Sequence, residues 1–138
     1  MVGVDPGRDK AGVARVGLDG VCLERRLVAA AQTIAVVVAW CRDAPMAVAV
    51  GDRTGGAALC KALQAALGDR APVVPVDEHR STLEGRALYW RVNPPRGWRR
   101  LLPLGLLTPP EPVDAYVAEV IARRYLAKHV APEQEAGT

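Results

Sequence analysis

The sequence predicts an α/β domain built on a mixed sheet flanked by helices, and three observations carry that expectation. Three strand-like runs follow one another through tight connections at the start of the chain, the pattern of an antiparallel meander. A strand, helix, strand unit comes next, and such a unit demands a parallel crossover. An Ala-rich amphipathic helix closes the pattern, giving a sheet of about five strands in one domain over 1–130.

The first strand is read over Met1 to Asp5, where Val2 and Val4 alternate with Met1 and Gly3 before a Pro-Gly turn. "AGVARVGL" at 11–18 and "VCLERRLVA" at 21–29 follow, with "LDG" at 18–20 as the turn between them. In "QTIAVVVAWCRD" at 32–43 the β-branched run favours a strand, and the length between breakers favours a helix; the length decides for helix. "MAVAVGD" at 46–52 is a short apolar run closed by Gly-Asp, as suits a strand buried on both faces.

"GGAALCKALQAALGD" at 55–69 puts Leu59, Leu63, Ala66 and Leu67 on one helical face and stops at Gly68, a natural C-cap. "APVVPVDE" at 71–78 is again an apolar strand ending in acid. From Ser81 to about Tyr89 a helix is expected, with Ser81 as N-cap and Glu84 at capping-box spacing. The prolines of 91–112 exclude regular structure there and leave a long, basic, Trp-bearing loop. "PVDAYVAEVIARRYLAKHV" is a helix with Pro112 in its first turn and Val113, Val117, Val120 and Ile121 on one face. A polar tail at 131–138 completes the reading.

Composition excludes several classes. Eighteen basic against fifteen acidic residues leave a net charge of +3, too small to announce a nucleic-acid partner by itself. Cys22, Cys41 and Cys60 are odd in number and form no CxxC pair, so neither a disulfide framework nor a zinc site is expected. No leader pattern is read at the start and the longest apolar stretch, "IAVVVAW", is far short of the ~20 residues of a membrane span. A cytoplasmic location without membrane attachment is expected.

Four carboxylates stand out by position: Asp5, Asp52 and Glu78 at the ends of the first, fourth and fifth strands, and Asp114 in the first turn of the last helix. Neighbouring strand ends form the natural crevice of an open α/β sheet, so these acids converge if the first strand lies beside the fourth. Converged carboxylates repel, and they coexist near neutral pH only with protons or divalent cations between them. Oxygen donors without a His or Cys cluster favour Mg²⁺ or Mn²⁺, and two such ions can drive in-line hydrolysis of a phosphodiester. Simpler roles stay open: Asp5 as a turn residue, Asp52 as a loop or cap residue, Glu78 as a strand-end charge, Asp114 as a helix-dipole partner. Against the last, Asp114 shares a face with Ala118, Ile121 and Tyr125 and is expected to point inward.

"VGVDPGRDKAGVARV", "AVGDRTGG", "VDEHRSTLEGRALYW" and "PVDAYVAEVIARRYL", in this order, resemble the YqgF family of RuvC-like nucleases over Val2 to about Leu126. The resemblance implies an RNase H-like fold and a metal-dependent nuclease with a two-metal Mg²⁺ or Mn²⁺ site. In that reading Asp5 is the central metal ligand, Glu78 the second acid and Asp114 the third, with Ser81 and Thr82 matching a hydroxyl pair after Glu78. Where the family usually writes Asp-Glu-Arg-Leu, this chain has Asp77, Glu78, His79 and Arg80, and Asp52 competes with Glu78 for the second place. The family's associated jobs are 5′-end processing of pre-16S rRNA and, as the alternative, resolution of Holliday junctions.

Partners are read from the basic segment. "WRVNPPRGWRR" sets Arg91, Arg96, Arg99 and Arg100 around Trp90 and Trp98, a mixture that neutralises phosphates and stacks on unpaired bases. Packing of both Trp residues against the body is the competing reading. Lys10 near Asp5, and Arg80, Ser81, Thr82 and Arg86 after Glu78, complete the candidate contacts to RNA or branched DNA. A homodimer through "LLPLGLL" at 101–107, and a catalytically silent module that only binds nucleic acid or protein, both stay open.

Overall fold

Strand side chains alternate between two faces, and here the alternation divides the apolar residues between two helical layers. The computed structural model describes residues 1–129 apart from 45, 54, 104 and 105. Strands β1 (Val2–Asp5), β2 (Lys10–Val16), β3 (Cys22–Ala29), β4 (Val48–Gly51) and β5 (Val73–Val76) form one sheet in the order β3-β2-β1-β4-β5. β1 pairs antiparallel with β2 and parallel with β4, β2 pairs antiparallel with β3, and β4 pairs parallel with β5. Only β2 runs against the others, so the five-stranded mixed sheet is present as expected.

Val2 and Val4 of β1, with Val48 and Val50 of β4, pack under Val37 and Trp40 of α1 (Thr33–Asp43) and Leu63 and Leu67 of α2 (Gly56–Leu67). Met1, Val16 and Ala49 face the other way, against Val117, Ile121, Ala122 and Leu126 of α4 (Asp114–His129). α3 (Ser81–Val92) packs on α4. Each fully buried Val, Leu or Ile contributes roughly 1.5–3 kcal/mol to this sandwich.

Glycine lets α4 lie unusually close to the sheet. A Cβ on Gly3 would sit 2.0 Å from the Ala118 carbonyl oxygen, and one on Gly12 would sit 2.0 Å from that of Asp114. Gly12 is the register partner of Asp5, so the same close approach that seats α4 brings its first turn beside the end of β1. Glu119, fully buried on α4, pairs with Arg25 of β3 and with Arg123 one turn on, tying the helix to the edge strand.

Several boundaries differ from the sequence reading. α1 is helical as expected, and α2 ends on Gly68 in the left-handed region at φ 56°, its N–H bonding the Gln64 carbonyl. Ser81 is not an N-cap: left-handed Arg80 (φ 61°) precedes α3, and Ser81 is its first, fully buried residue. Glu84 pairs with Arg124 and does not close a capping box. α3 runs past Tyr89 to Val92, because Pro94 bars a helical conformation only at Asn93. Trp90 and Arg91 therefore belong to α3 and not to the loop, which itself contains a 3₁₀ turn at Gly97–Leu101. Pro112 and Val113 precede α4. The polar tail at 131–138, and Leu104 and Gly105 of the 101–107 run, lie outside the described residues. Among the described residues no helix is long and apolar enough to cross a membrane, and Cys22, Cys41 and Cys60 are all free thiols.

Candidate active site

Parallel pairing of β1, β4 and β5 puts the carboxyl ends of three strands side by side, and an acid stands at or just beyond each. Asp5 is the last residue of β1 and is 5 % exposed, with Oδ1 buried and without a hydrogen-bond partner. Burial first, then the charges of Glu78 and Asp114 and a side-chain hydrogen bond with Asp114, push its pKa from 3.8 to about 7. The inward orientation expected of Asp114 agrees with that coupling.

Glu78 sits two residues beyond β5 and is 3 % exposed. Its carboxylate occupies the space left by the missing side chain of Gly51, where a Cβ would fall 1.4 Å from Oε1. Arg53 Nε lies 2.6 Å from Oε2 in an ion pair, and Oε1 has no partner. Burial raises the Glu78 pKa, Arg53 opposes that, and Asp52 adds to it.

The turn that carries Glu78 is stapled from several sides. Its own N–H donates to Asp52 Oδ1 at 3.2 Å, and the His79 N–H donates to Asp77 Oδ1 at 2.9 Å. Arg124, on α4, donates to the carbonyls of Asp77 (2.7 Å) and His79 (2.6 Å), the residues on either side of Glu78. The two candidates for the second acid differ in burial: Glu78 is inside with Asp5, and Asp52 is exposed and holds the turn.

Sequence reasoning missed Gly51, Gly12, Arg53 and Arg124. Gly51 stands directly before a strand-end Asp and Arg53 directly after it, which was the available signal. Gly51→Ala is expected to drive the Glu78 carboxylate out of its niche, lowering any cleavage activity about 100-fold. Melting temperature should hold or rise, because an ill-solvated carboxylate is released to water; a thermal scan beside the cleavage assay checks both.

The donor set is all oxygen: Asp5 Oδ1 and Glu78 Oε1 are buried without a partner, and Glu78 Oε2 meets only the Arg53 guanidinium. This chemistry fits Mg²⁺ or Mn²⁺. The cage is not preformed: among the described residues no group of three or more His, Cys, Asp and Glu side chains is disposed to hold a metal ion.

The expected nucleic-acid contacts divide. Lys10, Arg80, Arg86, Arg91, Arg96, Arg99 and Arg100 are exposed, and Thr82 is half-buried and accepts from Arg53 Nη2 at 2.7 Å. Ser81 is fully buried and so is removed from the set of surface contacts. Trp90 is buried too, its ring edge-on to Tyr89 at 5.1 Å, so packing is its role. Trp98 is 68 % exposed, with the Arg99 guanidinium 5.9 Å from its ring centre. Both Trp residues, Asn93, Arg96 and Arg99 line an open cleft of about 550 Å³.

No protein-family model and no curated protein matches the chain. Among solved structures, RuvC of Thermus thermophilus is similar over 93 % of this chain and 95 % of its own, at 18 % identity and a TM-score of 0.48.

Proposed function

We propose that this chain is a metal-dependent nuclease that hydrolyses phosphodiester bonds, with RNA as its substrate. The observation that carries the reading is the burial of Asp5 and Glu78 at the carboxyl ends of β1 and β5, on either side of β4, coupled to Asp114, with Asp5 Oδ1 and Glu78 Oε1 unpartnered. Burying like charges together is unfavourable for folding, and such an arrangement is concentrated at functional sites. Asp5, Glu78 and Asp114 would hold Mg²⁺ or Mn²⁺, and bound ions would supply Lewis-acid activation of water and of the phosphoryl group.

The protein's own part is to orient and to balance charge. Arg124 and Asp52 fix the turn that aims Glu78 at the site. Asp5, with a pKa of about 7 in the protein alone, can hold or release a proton on its carboxylate near neutral pH. The exposed Arg91, Arg96, Arg99 and Arg100 would neutralise phosphates, and the exposed face of Trp98 suits stacking on an unpaired base, which favours a single-stranded or flexible substrate. The resemblance to the YqgF family supports RNA processing over junction resolution. The decisive experiment incubates end-labelled single-stranded RNA, duplex DNA and a four-way junction with the chain, with Mn²⁺ or chelator, beside Asp5→Asn. Metal-dependent RNA cutting lost in the variant is the expected result. Paired symmetric nicks in the junction would favour the resolvase, and binding without cleavage by either form would leave a silent binding module.

A further inference from the structure

We propose that Arg53 is the site's built-in counter-cation, which must let go of Glu78 before a divalent ion can bind. The inference rests on the nuclease reading above and adds a competitor to it. Arg53 follows Asp52 at the end of β4 and reaches across to β5's far end, where Nε meets Glu78 Oε2 at 2.6 Å and Nη2 donates to Thr82 Oγ1 at 2.7 Å. Glu78's side chain is 2 % exposed and that of Arg53 51 % exposed, so the cation stands at the mouth of the niche with the carboxylate inside.

Charge accounting at the site singles this residue out. The charges acting on Asp5 are Glu78 and Asp114, which repel a second negative charge, and Arg53, which attracts it. On Glu78, Arg53 is the leading favourable charge, ahead of Arg124, whose guanidinium is committed to the carbonyls of Asp77 and His79. Arg53 therefore supplies in the metal-free protein, by its contact with Glu78, part of the positive charge that a cation would supply in the loaded one. The same guanidinium is anchored on its outer side by the bond from Nη2 to Thr82 Oγ1, so it holds the mouth of the niche and not its centre.

A single guanidinium and a divalent ion cannot share the same carboxylate oxygen at full strength. Metal binding then includes the cost of breaking the Arg53 contact, and apparent affinity is lowered by the fraction of molecules in which Arg53 holds Glu78. A half-exposed guanidinium is replaced by water with little penalty on its own side, so the exchange is reversible and depends on metal concentration.

The test is Mn²⁺ binding to the intact chain, followed by calorimetry and by the electron-spin resonance signal of free Mn²⁺, for wild type, Arg53→Gln, Arg53→Lys and Asp5→Asn. Arg53→Gln is expected to tighten Mn²⁺ binding about fivefold or more, and Arg53→Lys, which keeps the charge, to stay much nearer wild type. Thermal scans check that both Arg53 variants are folded. Equal or weaker binding by Arg53→Gln, with binding abolished in Asp5→Asn, would overturn the competitor role and leave the nuclease reading standing. Absence of Mn²⁺ binding in wild type and Arg53→Gln alike would overturn both.

Discussion

Asp5→Asn is expected to abolish metal-dependent cleavage and, at the same time, to stabilise the protein at neutral and alkaline pH. The first effect follows from removing the charge at the centre of the carboxylate group; several kcal/mol of lost charge stabilisation corresponds to about 10³-fold or more in rate. The second follows from linkage. The Asp5 pKa is about 7 in the folded protein against an ordinary 3.8, so the folded state binds the extra proton between those values. Its contribution to stability is fully present below about pH 4 and is lost as pH rises through about 7. A shift of that size corresponds to a penalty of up to about 4 kcal/mol at pH 8, which neutral Asn does not incur. Thermal unfolding of the two proteins from pH 4 to 8 measures it: the curves should meet at the acid end, part progressively between about pH 4 and 7 and keep a constant gap above that, with the variant melting about 5–10 °C higher at pH 8. A variant that loses activity and also melts lower at pH 8 would show that Asp5 is a structural residue.

Gly12→Ala should unfold or badly distort the site, although backbone entropy alone argues the other way. Replacing a strand glycine by alanine ordinarily stabilises by about 0.4–1 kcal/mol when the geometry permits. Here the new methyl would lie 2.0 Å from the Asp114 carbonyl oxygen, 2.1 Å from its carbon and 2.6 Å from the Ala115 nitrogen. Those are backbone atoms of a helix pinned along the sheet, and they cannot rotate away. The first turn of α4 must lift, at a cost of about 3 kcal/mol or more, beyond the usual range for overpacking by a side chain. Asp114 moves with it, so the Asp5 pKa should fall toward the ordinary carboxylate range and cleavage should drop with stability. Denaturant unfolding gives the first quantity, and a neutral or stabilising result would contradict the close seating of α4.

The strand ends were the most legible part of this chain. Val2 and Val4, "MAVAV" and "APVVPV" read as strands because apolar runs of that length end in acid, and parallel pairing then forces Asp5 and Glu78 to the same edge. The helix at 33–43 was legible from its length, since its Ile and Val residues favour the other answer. Asp114 could be placed inward from helical periodicity. What stayed hidden depends on distances across the chain. Nothing local tells the burial of Glu78 from the exposure of Asp52; the space over Gly51 is what lets the longer side chain turn inward. Arg124 reaches its carbonyl partners from 45 and 47 residues away, a relation no short pattern contains. Trp90 and Arg91 stayed hidden for a different reason: the prolines of 91–112 mark a loop without marking its first residue, and Asn93-Pro94 is the physical stop for α3. The Ser81–Glu84 spacing matches a capping box, but the left-handed Arg80 sets the helix start one residue earlier than that pattern requires.

The most direct test of a carboxylate site shared by Asp5, Glu78 and Asp114 is the ionisation of Asp5, followed by carboxyl ¹³C NMR from pH 4 to 9 with and without Mg²⁺. The account expects a midpoint of about 7 in the protein alone and a clear fall when saturating Mg²⁺ is present, as a cation replaces the proton that the three acids share. A midpoint near 4 in both conditions would show that the acids do not converge, and a midpoint of about 7 that ignores Mg²⁺ would show a buried carboxyl that holds no metal.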